Sequence, residues 1–165
     1  MKTASIDGTL SKPELYRDLT LSVSALIEGE TDVIANLANA SALLAQALDR
    51  VNWCGFYLLR GEELVLGPFQ GKPACVRIPV GRGVCGTAAA SRRTLVVPNV
   101  DAFPGHIACD PASRSEIVVP IVQEGVLRGI LDVDSAELDR FDEEDRRGLE
   151  SFANGLAERV NWTAL

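Results

Sequence analysis

The sequence predicts an α+β domain, with a central antiparallel sheet, the N- and C-terminal helices on one face and pocket-forming loops on the other. Three observations carry this. Segments of helical period open and close the chain. Two strand pairs with tight turns lie between them. A stretch rich in glycine and proline separates the pairs and reads as loop.

Residues 1–12 are polar and read as a flexible arm. Over 13–29, Leu15, Leu19, Val23, Leu26 and Ile27 repeat with helical spacing, with Pro13 suited to the first turn and Gly29 to the stop. Thr31 is expected to cap a second helix reaching about Leu48, in which Val33, Ile34, Leu37 and Leu44 keep the period. Residues 51–59 and 63–69 form a hairpin around Arg60-Gly61-Glu62. A short strand is expected over 75–80, an alanine-rich helix over 84–90 and another strand over 94–97. Residues 99–115, with Pro104, Gly105 and Pro111, are mostly loop with room for one helical turn. Residues 117–122 and 127–133 pair around Glu124-Gly125. The last helix runs over 142–160, with Asp142 and Asp145 forming a capping-box variant in a solvated acidic start.

A chain of 165 residues suits a single domain with a full core. The net charge of −7 argues against nucleic acid and anionic membranes as partners. No apolar run reaches the ~18 residues of a membrane span. The N-terminus lacks the apolar stretch of a signal peptide, so a cytoplasmic location is expected. In a reducing compartment, four cysteines are better read as catalytic or regulatory thiols than as structural disulfides. No C-x-x-C spacing occurs and there is one histidine, so no metal site is expected.

Cys109 lies in the polar loop His106-Ile107-Ala108-Cys109-Asp110-Pro111. A cysteine nucleophile needs access and thiolate character; the loop offers the first, and Arg114 or the amides of a helical turn the second, while Asp110 opposes it. A packed loop cysteine is the other reading, and the residues alone leave both open. Cys75 opens a strand near a pocket rim. Cys85 lies one turn into a short helix, where a small core residue would also fit. A resolving thiol must bring its Cα within roughly 7 Å of the nucleophile's. Cys54 lies mid-strand and reads as structural. Asp132 and Asp134 alternate with Leu131 and Val133, so both face one way, and pairing could bring Glu116, just ahead of the paired strand, beside them; solvated strand-end acids are the other reading. Clustered carboxylates raise one another's pKa and attract an ammonium group. Trp53 and Tyr57 share a face across Gly55, as an aromatic wall or as core. His106 could serve as an acid/base group, but Gly105-His106 in a loop more often reads as a surface turn.

Together the motifs resemble a known family. Trp53-x-Gly55-Phe56-Tyr57, Gly67-Pro68-Phe69-Gln70-Gly71-Lys72-Pro73-Ala74-Cys75 and Gly83-Val84-Cys85-Gly86-Thr87-Ala88 are similar to segments of the free methionine-(R)-sulfoxide reductases. So are Asp101-x-x-Pro104-Gly105-His106-Ile107-Ala108-Cys109-Asp110, Ser113-Arg114-Ser115-Glu116 with the strand after it, Gly129-Ile130-Leu131-Asp132-Val133-Asp134-Ser135, and Phe141-Asp142. The resemblance spans about residues 13–160 and implies a GAF-like domain, normally a homodimer. It implies thiol-dependent reduction of the free amino acid sulfoxide, a repair of oxidative damage, without a cofactor. It implies Cys109 as the attacking thiolate, Cys75 as the principal resolving thiol and Cys85 as a third redox cysteine. Trp53 and Tyr57 would enclose the methyl-sulfoxide end. Glu116, Asp132 and Asp134 would hold the ammonium and the sulfoxide oxygen, with Glu116 or Asp134 as proton donor. Cys54 departs from the family pattern, where a small residue is usual.

The implied cycle passes through a Cys109 sulfenic acid and a disulfide with Cys75, recycled by a thioredoxin-like reductant. The rival from another class is a small-molecule-sensing GAF module without turnover; the absence of an output domain after the last helix argues against it. A third reading is a redox-switch protein whose disulfide alters a partner interface.

Overall fold

The computed structural model describes residues 10–164. The expected arm therefore lies largely outside the described residues, and Lys12 already belongs to the first helix. The elements are α1 (Lys12–Leu26), α2 (Val33–Ala47), β1 (Trp53–Arg60), β2 (Glu63–Gln70), β3 (Arg77–Pro79), α3 (Gly83–Ser91), β4 (Leu95–Val97), β5 (Ser115–Gln123), β6 (Val126–Ser135) and α4 (Glu143–Arg159). Single 3₁₀ turns occupy Val100–Ala102 and Trp162–Ala164. The strands form one six-stranded sheet in the order β3-β2-β1-β6-β5-β4, and every neighbouring pair is antiparallel.

Period-2 alternation divides the sheet into two faces. Cys54, Phe56 and Leu58 of β1 point to one side, with Ile117, Val119, Leu131 and Val133 from β5 and β6. The apolar stripes of α1, α2 and α4 cover that side. Trp53 and Tyr57 point to the other, with Val118, Ile130 and residues of α3. The terminal helices thus share one face, as the element order predicts. The opposite face keeps a short helix and the long loop over residues 98–114, and the site lies there.

Local chemistry explains where the boundaries depart from expectation. α1 stops at Leu26, and Gly29, at φ 79°, serves the turn beyond it. Asp32, not Thr31, caps α2: its carboxylate accepts from Ala35 N at 2.8 Å, and an anion suits a helix N-terminus. The strand expected over 75–80 shortens to Arg77–Pro79, and the Cys75 carbonyl, outside the ladder, accepts from the Tyr57 hydroxyl at 2.9 Å. β5 begins at Ser115, so Glu116 is inside the strand and not ahead of it. The Glu124-Gly125 turn has both φ angles positive, 49° and 77°, as a two-residue type I′ hairpin needs.

The acidic start of α4 is not wholly solvated. Asp142 and Asp145 form the expected capping box. Asp145, however, is buried, and accepts from Tyr16 Oη at 2.7 Å, Lys12 Nζ at 2.6 Å and Arg140 Nη1 at 3.2 Å. This network fastens α1 and the β6–α4 connection to the first turn of α4.

Candidate active site

Register places the carboxylates. Asp132 and Asp134 are two apart on β6 and face the loop side; Trp53 pairs with Asp134 and Gly55 with Asp132. On the other flank Glu116 pairs with Asp134 and Val118 with Asp132. Three acids therefore cluster at one end of the sheet. Gly55 is required beside them: a Cβ there would lie 2.3 Å from Phe69 Cβ, so only glycine lets β2 close on β1.

α3 brings Cys85 over the acids. A Cβ on Gly86 would sit 2.4 Å from the Pro79 carbonyl oxygen, so glycine allows α3 to seat against the end of β3. The Cys85 thiol donates to Asp132 Oδ2 at 3.3 Å and to Glu116 Oε1 at 3.5 Å. Burial, then the nearby carboxylates, hold this thiol well above its usual pKa, so it is a protonated donor.

Burial and mutual repulsion also govern the acids. Glu116 is pushed up to about 8 by burial and by the Asp134 charge. Asp132 is raised well above the carboxylate range by burial and by Glu116, and Asp134 by burial and by Asp132. At neutral pH the cluster retains protons and titrates as a unit. Asp132 Oδ1 is buried without a hydrogen-bond partner, and Asp132 is among the residues that line the cavity.

The loop between β4 and β5 closes the site. Cys109 is joined to Cys75 in a disulfide, with Cα atoms 5.3 Å apart. The neighbouring Asp110 is buried and pins the loop: it accepts from Ala112 N at 2.9 Å and from Asn52 Nδ2 at 3.1 Å. The Ala112 amide, then Asn52 and Lys72, hold its carboxyl below the usual range despite burial. Beneath the loop a cavity of ≈ 30 Å³ remains, lined by Tyr57, Cys85, Cys109, Glu116, Asp132 and Asp134 among others.

Comparison with known proteins agrees with this geometry. The GAF domain family profile matches residues 32–160. The chain is similar to the free methionine-R-sulfoxide reductase of Escherichia coli (strain K12), at 56% identity over 89% of each chain. It is similar to the free methionine-R-sulfoxide reductase of Saccharomyces cerevisiae (strain ATCC 204508 / S288c), at 45% identity over 88% of this chain and 86% of that one. Among solved structures, it superposes on the free methionine-R-sulfoxide reductase of Neisseria meningitidis in complex with its substrate. There the TM-score is 0.90 and the identity 47%, over 96% of both chains. The chain belongs to the free methionine-R-sulfoxide reductases of the GAF-domain family.

Most residues picked out by the reductase motifs converge here. Cys109, Cys85, Glu116, Asp132, Asp134 and Tyr57 line one cavity, and Cys75 is bonded to Cys109. Trp53 lies behind Tyr57, stacked on it at 6.0 Å and on Phe69 at 5.3 Å, and is not part of the lining. Its indole N–H donates to the Lys72 carbonyl at 3.1 Å, as Tyr57 donates to Cys75. Both aromatics thus anchor the segment that carries Cys75. Cys54 faces the helical core; its thiol, pushed up to about 12 by burial, donates to the Ser41 carbonyl at 3.5 Å. The reading of Cys54 as structural agrees with this setting.

His106 corrects the surface-turn reading. It lines the cavity, with Nε2 3.9 Å from Glu116 Oε2. Burial lowers its pKa, so beside a protonated Glu116 the two meet as neutral neighbours. Asn52 and Ser113 brace the loop: Ser113 opens one of the reductase-like segments but was given no role, and Asn52, a single polar residue next to a turn, had no period to mark it. Asp110 was noted only as an unfavourable charge beside Cys109; its bonds show it holding the cysteine in place.

Proposed function

We propose that this chain reduces free L-methionine-(R)-sulfoxide to L-methionine with its own thiols. The observation that carries the reading is the Cys75–Cys109 disulfide closed over two buried carboxylates, Glu116 and Asp132, and the half-buried Asp134, with one Asp132 oxygen unpartnered. In the reduced protein, the Cys109 thiolate attacks the sulfoxide sulfur. Glu116, kept protonated by burial, donates to the sulfoxide oxygen, which leaves poorly without a proton. The oxygen passes to sulfur, giving methionine and a Cys109 sulfenic acid. Cys75 condenses with it, releasing water and forming the disulfide. A thioredoxin-like dithiol then restores both thiols by exchange.

Asp132 and Asp134 take the α-ammonium, a charge that peptide-linked methionine lacks, and this selects the free amino acid. Tyr57 packs against the methyl-sulfoxide end, and Trp53 supports it from behind. Cys85, held as a protonated donor, orders Glu116 and Asp132 and stands outside the first disulfide. We infer a cytoplasmic homodimer that needs no metal or organic cofactor. Among the described residues no helix is long and apolar enough to cross a membrane.

The test is methionine release from the two free epimers with dithiothreitol as reductant. Release is expected from the (R) epimer alone. Cys109→Ser should abolish even the first turnover. Cys75→Ser should retain a single turnover and lose recycling through the intramolecular disulfide. Full activity in Cys109→Ser would overturn the assignment. Tight binding of another small molecule with no release from either epimer would favour the sensing module.

A further inference from the structure

The protonated cluster that the reaction uses has the spacing of a cation site. Cys85 Sγ and one oxygen each from Glu116 and Asp132 lie within 4.8 Å of one another. Sγ is 3.5 Å from Glu116 Oε1 and 3.3 Å from Asp132 Oδ2. Tetrahedral zinc, with bonds of about 2.3 Å to sulfur and about 2.0 Å to oxygen, spaces its ligand atoms about 3.5 Å apart. A second, independent observation points to a ligand there: Asp132 is 6% exposed, lines the cavity, and its Oδ1 has no hydrogen-bond partner. Glu116 Oε2 has His106 Nε2 at 3.9 Å. All four side chains are drawn from different elements and converge on one ≈ 30 Å³ cavity. That volume takes an ion with about one water, not an amino acid.

We propose that Cys85, Glu116 and Asp132 bind a thiophilic divalent cation of the Zn²⁺ class in the disulfide-closed protein, with a water in the cavity as the fourth ligand. The donor set mixes one sulfur and two carboxylates, which suits Zn²⁺ and Co²⁺ better than Mg²⁺ or Ca²⁺. Binding releases to solvent the Cys85 thiol proton and the protons shared by the Glu116 and Asp132 carboxyls, and involves no change of oxidation state. The inference goes beyond the reduction of the sulfoxide and does not depend on it, since the disulfide state is the one that binds.

Protein with the Cys75–Cys109 disulfide intact is titrated with Co²⁺. A thiolate-to-cobalt charge-transfer band should saturate at one ion per chain and be displaced by Zn²⁺. Cys54→Ser, on the other face of the sheet, should keep the band, and Cys85→Ser should lose it. Asp132→Asn, which keeps the side-chain shape, should weaken binding at least about tenfold and decides the matter if Cys85→Ser does not fold. No saturable band in the wild-type protein, a band that survives Cys85→Ser, or unchanged affinity in Asp132→Asn would overturn the site.

Discussion

Glu116 is 5% exposed and faces two further carboxylates, so its ionised form is disfavoured in the folded protein and not in the unfolded chain. Its pKa is raised on folding, from 4.5 to about 8. The stability it contributes is therefore fully present below about pH 4.5 and lost as pH rises through about 8. Glu116→Gln removes this titration and keeps an acceptor for the Cys85 thiol. The variant should be more stable than the wild type by about 1–2 kcal/mol near pH 8, with a smaller difference near pH 5, as read by urea unfolding. Its methionine release should fall about 100-fold, and the wild-type rate should decline as pH rises through about 8, where the donor loses its proton. A wild-type rate flat through that range would remove Glu116 as donor. Asp132 and Asp134 were legible because alternation along a strand fixes their face, and Glu116 because hairpin pairing brings its segment beside them. His106 and Asn52 were not, because loop residues acquire their partners only through the closure of distant segments: Asn52 and Asp110 are 58 positions apart.

Among the elements, α4 depends on one buried acid. Asp145 caps its own helix and accepts from Tyr16, Lys12 and Arg140. Asp145→Ala should destabilise the fold by about 3–5 kcal/mol, measured by denaturant unfolding, because it leaves Arg140 buried with only the exposed Asp49 carboxylate and a main-chain carbonyl. A loss below about 1 kcal/mol would show that water replaces the carboxylate. The capping box was legible in Asp142 and Asp145. The burial of Asp145 was not, since an acidic run at a helix start carries no sign of a tyrosine 129 positions earlier folding onto it. Strand ends were missed for a similar reason: Cys75 lies outside the ladder, and a tyrosine hydroxyl takes its carbonyl.

At the scale of the whole molecule, apolar periodicity was enough to give the α+β class and to put the terminal helices on one face, because burying two faces of one sheet leaves little choice of architecture. The closure of the loop that carries Cys109 was not encoded in any period. That closure has a consequence for ligand traffic. A cavity of ≈ 30 Å³ under the disulfide is too small for an amino acid. The oxidised protein should therefore show no binding of free methionine-(R)-sulfoxide by calorimetry, while reduced Cys109→Ser, which cannot turn over, should bind it. Equal binding by both would mean that the loop does not gate the site. If the closed loop excludes ligand, methionine leaves before the disulfide closes.

The most direct measurement is a single turnover without external reductant. Fully reduced protein is mixed with one equivalent of free methionine-(R)-sulfoxide, and both methionine and protein thiols are counted. One methionine should form for each pair of thiols lost, with the new disulfide mapped by mass spectrometry to Cys75 and Cys109, and nothing should form from the (S) epimer. Methionine formed with the Cys75–Cys109 pair still reduced, or a disulfide that maps instead to Cys85, would contradict the account.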